Sequence, residues 1–259
     1  MSRIRDAFQN GKAFIAFVTG GYPDFETTGK LVQAMADAGA DVIEIGIPFS
    51  DPIAEGPVIE KASAQALSSG FTVDRLFELM ARLRQTVTVP IVFMTYANPV
   101  LAYGTERFLT RCQAVGVDGL IIPDTPYEER EEFGGACKAH GVDLISMVAP
   151  TSAARASEIA KQAEGFLYCV SSLGVTGVRQ KIGTDIFRVI ETVKQCSSVP
   201  CAIGFGVSTP EQAKEMAAHA DGVIVGSAIV KLVAQYGVGS IPYVADYVRQ
   251  MKMAVSAAV

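Results

Sequence analysis

The chain has 259 residues, of which 49 % are apolar and 19 % charged, and 22 Lys and Arg against 27 Asp and Glu leave a net charge of −5. This composition is typical of an ordered globular protein and excludes a disordered, fibrous or disulfide-stapled chain. The charges form no basic stripe, and no apolar run approaches the ~18 residues of a spanning helix, so we expect neither a nucleic-acid nor a membrane partner.

Short apolar runs rich in β-branched residues predict eight strands. They lie at roughly 13–19, 41–47, 90–96, 119–123, 143–149, 166–171, 200–204 and 222–226. The stretches between them are long enough for helices, and this alternation predicts a single-domain (β/α)8 TIM barrel over residues 1–259. An open doubly wound sheet fits less well, because the turn after the first strand reads Gly20-Gly21-Tyr22-Pro23 and lacks the GxGxxG pattern.

Several intervals between strands carry helix signals. Asp24 is placed to cap the helix after the first strand, and Thr125 and Thr209 each precede a proline and begin the spacing of a capping box. The longest interval, between the second and third strands, has room for an extra helix around 59–70. Residues 174–184 form a long polar segment after the sixth strand, which predicts a mobile loop over the site.

The second strand and the loop after it carry carboxylates. Glu44 lies in the middle of a run that a barrel buries on both faces, where a carboxylate must be paired or have a raised pKa. Such a group is a candidate general acid–base residue, the alternative being a structural carboxylate bonded to a neighbouring hydroxyl or amide. Loop 49–57 adds Asp51 and Glu55 between prolines and a glycine, so it is a candidate second catalytic element.

Small residues end the last strands and predict a phosphate site. Gly206 follows the seventh strand, and Gly226 and Ser227 follow the eighth, where a helix would direct its backbone N–H groups at an anion. The segment from Gly174 to Gly177 can close over the same corner. Taken one at a time these glycines indicate no more than turns, but together at successive strand ends they favour phosphate binding.

Large apolar and aromatic side chains at the strand ends suggest that part of the substrate is flat and apolar. They are Phe17, Met94, Tyr96, Val148, Tyr168 and Phe205. No predicted strand contains a lysine, so a Schiff-base aldolase lacks its nucleophile, and no His or carboxylate cluster suggests a metal. The remaining chemistry is acid–base catalysis by carboxylates on a phosphorylated substrate.

The cysteines and histidines give no sign of a disulfide or metal site. The five cysteines form no CxxC pair and lie in apolar segments, which predicts reduced, buried thiols in a cytoplasmic protein; they are Cys112, Cys137, Cys169, Cys196 and Cys201. His140 and His219 fall near the ends of predicted helices, where we expect solvated or capping roles.

These motifs, in this order, closely resemble the tryptophan synthase alpha chain family, and the resemblance covers essentially the whole chain. Its longest element is the segment from Glu44 to Ile59, EIGIPFSDPIAEGPVI. The others are Met94–Pro99, Leu120–Asp124, Gly174–Gly177, Gly204–Gly206 and Gly222–Ser227.

The resemblance implies a (β/α)8 barrel that cleaves indole-3-glycerol phosphate to indole and glyceraldehyde 3-phosphate without a cofactor. Glu44 would then be the acid–base residue, and Glu55 would hold the indole N–H. Indole would be surrounded by Phe17, Tyr96, Tyr168 and Phe205. Phosphate would be bound by Gly177, Gly206, Gly226 and Ser227, and Thr176 would take part in loop closure.

The resemblance also implies a partner, the tryptophan synthase beta subunit in an α2β2 heterotetramer. Asp51 and Pro52 would lie toward it, and an interface around residues 124–126 is consistent with it.

One residue departs from the family pattern, because Glu55 stands where the family commonly has Asp, and its extra methylene displaces the carboxylate by about 1–1.5 Å unless the loop adjusts. Two alternatives stay open: a free-standing lyase, and a poorly active barrel that binds ligand and activates its partner.

Overall fold

The computed structural model describes residues 2–150, 153–170, 184–204 and 206–258. Eight parallel strands close into a barrel in the order of the chain, and β1 completes the barrel by pairing with β8. The strands are β1 (Ala13–Thr19), β2 (Val42–Gly46), β3 (Ile91–Met94), β4 (Gly119–Ile121), β5 (Asp143–Val148), β6 (Leu167–Val170), β7 (Cys201–Gly204) and β8 (Gly222–Val225).

Helices surround this barrel. Those in the described part of the chain are α1 (Arg3–Asp6), α2 (Phe25–Asp37), α3 (Pro57–Ser68), α4 (Val73–Leu83), α5 (Ala97–Tyr103), α6 (Thr105–Ala114), α7 (Glu131–Ala139), α8 (Ala153–Lys161), α9 (Thr184–Cys196), α10 (Pro210–His219), α11 (Ser227–Tyr236) and α12 (Ile241–Ser256). None of the described helices is both long enough and apolar enough to cross a membrane.

The predicted barrel is confirmed, with the predicted strand ends at most two residues from the observed ones. The extra helix between β2 and β3 is confirmed as α3, which precedes α4. The open-sheet alternative is excluded because β1 pairs with β8, with Ile15 opposite Ile224. The predicted loop at 174–184 lies outside the described residues up to position 183, and Thr184 begins α9.

Two of the three predicted helix caps are confirmed. The Asp24 carboxylate accepts a hydrogen bond from the backbone N–H of Thr27 at 2.7 Å and caps α2. At α10, Thr209 Oγ1 accepts from the N–H of Gln212 at 3.3 Å, and the Gln212 side chain accepts from the N–H of Thr209 at 3.2 Å. This reciprocal pair satisfies N–H groups that a helix start leaves without partners inside the helix.

The third predicted cap, at Thr125, is wrong. A short 3₁₀ turn occupies Tyr127–Glu129, and α7 begins only at Glu131, after Arg130 and without a side-chain cap. A tertiary contact accounts for this, because the buried guanidinium of Arg130 donates to Ser146 Oγ at 3.1 Å on β5. Local sequence signals do not include such a contact.

The amino-terminal end of the barrel is closed by α1 and its flanking residues. Ile4 is fully buried against Gly119, where an added Cβ would lie 2.8 Å from its side chain. Asp118 accepts from Arg3 and from Arg84, each at 2.6 Å. This end of the barrel is therefore sealed, and the carboxyl ends of the strands form the mouth where enzymes of this fold place their sites.

The cysteines agree with the prediction in four cases out of five. All are free thiols; Cys196, at the end of α9, is exposed, and the other four are buried. The expectation of a buried thiol at position 196 is therefore wrong. Cys196 is the last residue of α9 and stands between the polar pairs Lys194-Gln195 and Ser197-Ser198, which fit an exposed helix end.

Candidate active site

Glu44 lies on β2 in the interior of the barrel. Its backbone is opposite Phe17 of β1 and Val92 of β3, and its side chain is only 1 % exposed. Among the described residues, its Oε2 atom has no hydrogen-bond partner. Burial, and next the nearby Glu55 charge, raise the pKa of Glu44 to about 8, because low-dielectric surroundings disfavour the carboxylate. The carboxyl group is therefore mostly protonated at neutral pH.

Glu55 lies on the loop that connects β2 to α3. The start of this loop is held by the Ile47 N–H, which donates to the Met94 carbonyl at 2.8 Å, and its end by α3, which begins at Pro57. Burial, and next the charge of Glu60 on α3, raise the pKa of Glu55 to about 7. Its Oε2 atom is buried and, within the described part of the chain, has no partner. Two carboxyl groups with raised pKa values thus meet at one side of the mouth.

Three predicted aromatic residues converge on the same space: Phe17, Tyr96 and Tyr168 are each at most 5 % exposed. A Cβ added at Gly46 would lie 2.6 Å from the Phe17 ring, and one at Gly226 would lie 3.3 Å from it. The Phe17 ring therefore spans from β2, which carries Glu44, to the end of β8.

Tyr168 occupies the opposite wall, where a Cβ added at Gly204 would lie 2.5 Å from its hydroxyl. Burial, and next the Glu44 charge, raise the pKa of Tyr168 well above its usual range, which indicates that its ring lies near that carboxyl group. Gly46 and Gly204 thus leave room for the rings of Phe17 and Tyr168. The structure brings Glu44, Glu55 and these three aromatic residues together, as the sequence predicts.

Small residues and a helix start form the corner after β7 and β8. Gly226 precedes α11, which begins at Ser227 as predicted, so the first N–H groups of this helix have no carbonyl partner within it. Gly206 has φ +85°, and no atom of the described residues lies within 4 Å of a Cβ built there. An anion is favoured at such a corner. Three other predicted residues, Thr176, Gly177 and Phe205, lie outside the described residues.

The outer side of loop 49–57 reaches the surface. Asp51 is exposed and Pro52 is partly exposed. Two large apolar side chains are also exposed near this end of the barrel, Ile53 at 72 % on the loop and Leu101 at 48 % on α5.

Two polar residues at the mouth were not predicted as site residues. Thr19 ends β1 opposite Gly46; it is 1 % exposed, and within the described chain its hydroxyl has no partner. The sequence does contain a signal for Thr19, since this residue ends the predicted first strand two positions beyond Phe17 and therefore lies on the same face of the strand. Asp124, expected only near a partner surface, accepts at 2.9 Å from the N–H of Ala97, the first residue of α5.

Within the described ranges, no three His, Cys, Asp or Glu side chains are grouped to hold a metal ion. The eight strands contain no lysine. A closed parallel barrel with one buried and one partly buried carboxyl group at its mouth, an aromatic wall and a helix start is an arrangement suited to acid–base chemistry in an enzyme of the (β/α)8 class.

Comparisons with known proteins identify the family within this class. The family model described as tryptophan synthase alpha chain matches residues 4–257. The chain is 46 % identical over 257 residues to the tryptophan synthase alpha chain of Lacticaseibacillus casei, covering 99 % of this chain and 97 % of the relative.

Solved structures agree. A chain of Mycobacterium tuberculosis tryptophan synthase matches with a TM-score of 0.90 and 33 % identity over 98 % of both chains. A chain of the Pyrococcus furiosus tryptophan synthase complex matches with a TM-score of 0.85 and 32 % identity, covering 94 % of this chain and 99 % of that one. The chain belongs to the tryptophan synthase alpha chain family, which confirms the family, fold and lyase class expected from its motifs.

Proposed function

We propose that this chain cleaves indole-3-glycerol phosphate to indole and glyceraldehyde 3-phosphate, with Glu44 as the acid–base residue and no cofactor. The observation that carries the proposal is the Glu44 carboxyl group, 1 % exposed, with a pKa raised to about 8. A neutral carboxylic acid at the mouth of a barrel is suited to protonate an aromatic ring carbon at neutral pH. The family membership supplies the substrate.

The proposed reaction requires one proton to leave Glu44 and one to return. Glu44 first protonates the indole carbon that bears the glycerol side chain, which leaves positive charge on the ring nitrogen. The resulting Glu44 carboxylate then removes the proton of the adjacent side-chain hydroxyl. The bond between the ring carbon and the side chain breaks, its electron pair returns to the indole, and the hydroxyl carbon becomes the aldehyde. Glu44 ends protonated, so no co-reactant is needed.

Glu55 has the complementary role in this proposal. Its pKa is raised to about 7, below that of Glu44, so a large fraction of it is ionised while Glu44 is still protonated. An ionised Glu55 can accept a hydrogen bond from the indole N–H and stabilise the positive charge that develops on the ring. The apolar walls of the indole site are assigned to Phe17, Tyr96, Tyr168 and Phe205.

We assign the phosphate to the corner after β7 and β8. The described part of this corner contains the start of α11, and no described atom lies within 4 Å of a Cβ built at Gly206. Its ligands would be the backbone N–H groups of Gly177, Gly206, Gly226 and Ser227. We assign Thr176 to loop closure on the basis of the family resemblance.

We further propose that the chain works as one 259-residue domain, in the cytoplasm, with a tryptophan synthase beta subunit. The solved Pyrococcus furiosus match is part of a tryptophan synthase complex. The proposed contact surface includes Asp51 and Pro52. The exposed Ile53 and Leu101 support it, because a partner would remove their apolar surface from water.

The test is indole release from indole-3-glycerol phosphate by the purified chain, alone and with a beta subunit. Glu44→Gln keeps the shape of the side chain but removes the titrating proton, so we expect a rate loss of at least about 100-fold. Glu78→Gln, an exposed position on α4, is the matched control and should retain the wild-type rate.

The outcomes separate the alternatives. Slow release alone, stimulation by the partner and loss in Glu44→Gln would support the proposal. Fast release that a beta subunit does not change would favour a free-standing lyase. Substrate binding without indole release under either condition would leave a ligand-binding subunit that acts through its partner.

A further inference from the structure

Tyr96, the second residue after β3, contacts the Glu55 loop at two points. Its hydroxyl oxygen accepts a hydrogen bond from the backbone N–H of Ala54 at 3.1 Å. Its ring packs on Phe49 with ring centroids 5.2 Å apart. Phe49 lies near the beginning of the loop, and Ala54 immediately precedes Glu55. One side chain therefore holds the loop both near its start and beside its catalytic candidate.

The Tyr96 side chain is a rigid anchor for these contacts. The residue is 1 % exposed. Burial, and next the Glu55 charge, raise the pKa of Tyr96 to about 12, so the hydroxyl stays protonated across the working range of the enzyme. The hydrogen bond from the Ala54 N–H places this hydroxyl beside the residue that immediately precedes Glu55.

Tyr96 is in turn held from the next strand. The following residue, Ala97, donates its N–H to the Asp124 carboxylate at 2.9 Å. Asp124 lies three residues beyond β4. A continuous series of contacts thus runs from the loop after β4, through the backbone at 96–97, to Ala54 and Glu55.

We propose that Tyr96 is a positioning residue that places the Glu55 carboxyl group for catalysis, with Asp124 fixing the backbone that carries Tyr96. This inference rests on the proposed function of Glu55 and adds a second role to a residue expected only to line the indole site. A loop that carries a catalytic carboxylate loses rate when its placement changes by about 1 Å. The Glu55 side chain is longer than the Asp common in the family, so its position depends more on the loop.

The test uses the full chain with Tyr96→Phe, which keeps the ring on Phe49 and removes only the hydroxyl. Amide hydrogen exchange at Ala54 should become about 3- to 10-fold faster, the effect expected from losing one hydrogen bond. The kcat for indole release should fall about 10-fold, while KM changes less than about twofold. Exchange in β1 and β2 should not change, which shows that the barrel is folded.

Tyr103→Phe is the matched control, since it removes a tyrosine hydroxyl that donates to Asp74 at 2.5 Å away from the loop. It should leave both exchange at Ala54 and kcat unchanged. Asp124→Ala should alter exchange at Ala54 and kcat in the same direction as Tyr96→Phe.

Three results would overturn the inference in whole or in part. Unchanged exchange at Ala54 in Tyr96→Phe would refute the anchoring, and a rise in KM alone would mean that Tyr96 only binds substrate. An Asp124→Ala variant with wild-type exchange at Ala54 would remove Asp124 from the series. The exchange measurement needs no turnover, so an inactive wild type would refute the proposed function and leave the anchoring testable.

Discussion

The acidity of the two carboxyl groups predicts the pH dependence of kcat/KM. The proposed active form has Glu44 protonated and Glu55 ionised. Since burial raises the pKa of Glu44 to about 8 and that of Glu55 to about 7, activity should rise through pH 7 and fall through pH 8. Two such ionisations leave roughly 60 % of the enzyme active at pH 7.5 and roughly 10 % at pH 6 or pH 9, about a sevenfold loss on each side.

Variants assign each limb of this profile to a residue. Glu55→Gln should lower the rate and remove the acidic limb, because Gln does not titrate. The alkaline limb set by Glu44 should remain but shift to lower pH, since the Glu55 charge contributes to the raised pKa of Glu44. Glu60→Gln should shift the acidic limb to lower pH, since the Glu60 charge contributes to the raised pKa of Glu55. Glu78→Gln, exposed on α4, is the control and should reproduce the wild-type profile.

The assay is the initial rate of indole release at subsaturating substrate from pH 5.5 to 9.5, at constant ionic strength. Subsaturating substrate reports the ionisations of the free enzyme. A wild-type rate that keeps rising to pH 9.5 would refute Glu44 as a general acid. An acidic limb that survives in Glu55→Gln would refute the assignment of that limb to Glu55.

Three further predictions concern stability, the barrel interior and the thiols. Because the folded-state pKa of Glu44 is raised from 4.5 to about 8, its contribution is present at low pH and lost as pH rises toward 8. Urea unfolding should therefore show the stability of Glu44→Gln relative to wild type rising between pH 4 and pH 8 by an amount on the order of 4 kcal/mol, and a difference that does not change with pH would contradict the buried acid. Gly46→Ala would place a Cβ 2.6 Å from the buried Phe17 ring, so kcat/KM should fall at least about 10-fold. Gly135→Ala is the control, because no described atom lies within 4 Å of a Cβ added there, and it should keep wild-type kinetics. Equal kinetics in the two variants would refute the packing of Phe17 on Gly46. A thiol reagent should modify Cys196 rapidly in the folded protein and the other four thiols only after unfolding, and fast reaction of more than one thiol would contradict their burial.

Sequence patterns predicted the structure correctly where the residues of one strand or one helix end decide it. The alternation of apolar runs predicted all eight strands to within two residues, because strands buried on both faces of a barrel must be apolar throughout. Thr209 was correctly predicted as a cap, since both halves of its capping box lie within four residues. Thr125 has the same spacing and fails, because the distant contact between Arg130 and Ser146 places the helix start.

The sequence by itself determined that the Glu44 carboxylate would lie in a buried strand, because the residues on either side of it are apolar and a barrel covers both faces of its strands. Together with the ordered motifs, it also determined the family. Only the tertiary structure decided that burial raises the pKa of both Glu44 and Glu55 and that Phe17 occupies the space above Gly46. It alone showed that Tyr96 holds the Glu55 loop. These properties depend on distances between residues far apart in the chain, and the closed barrel sets those distances.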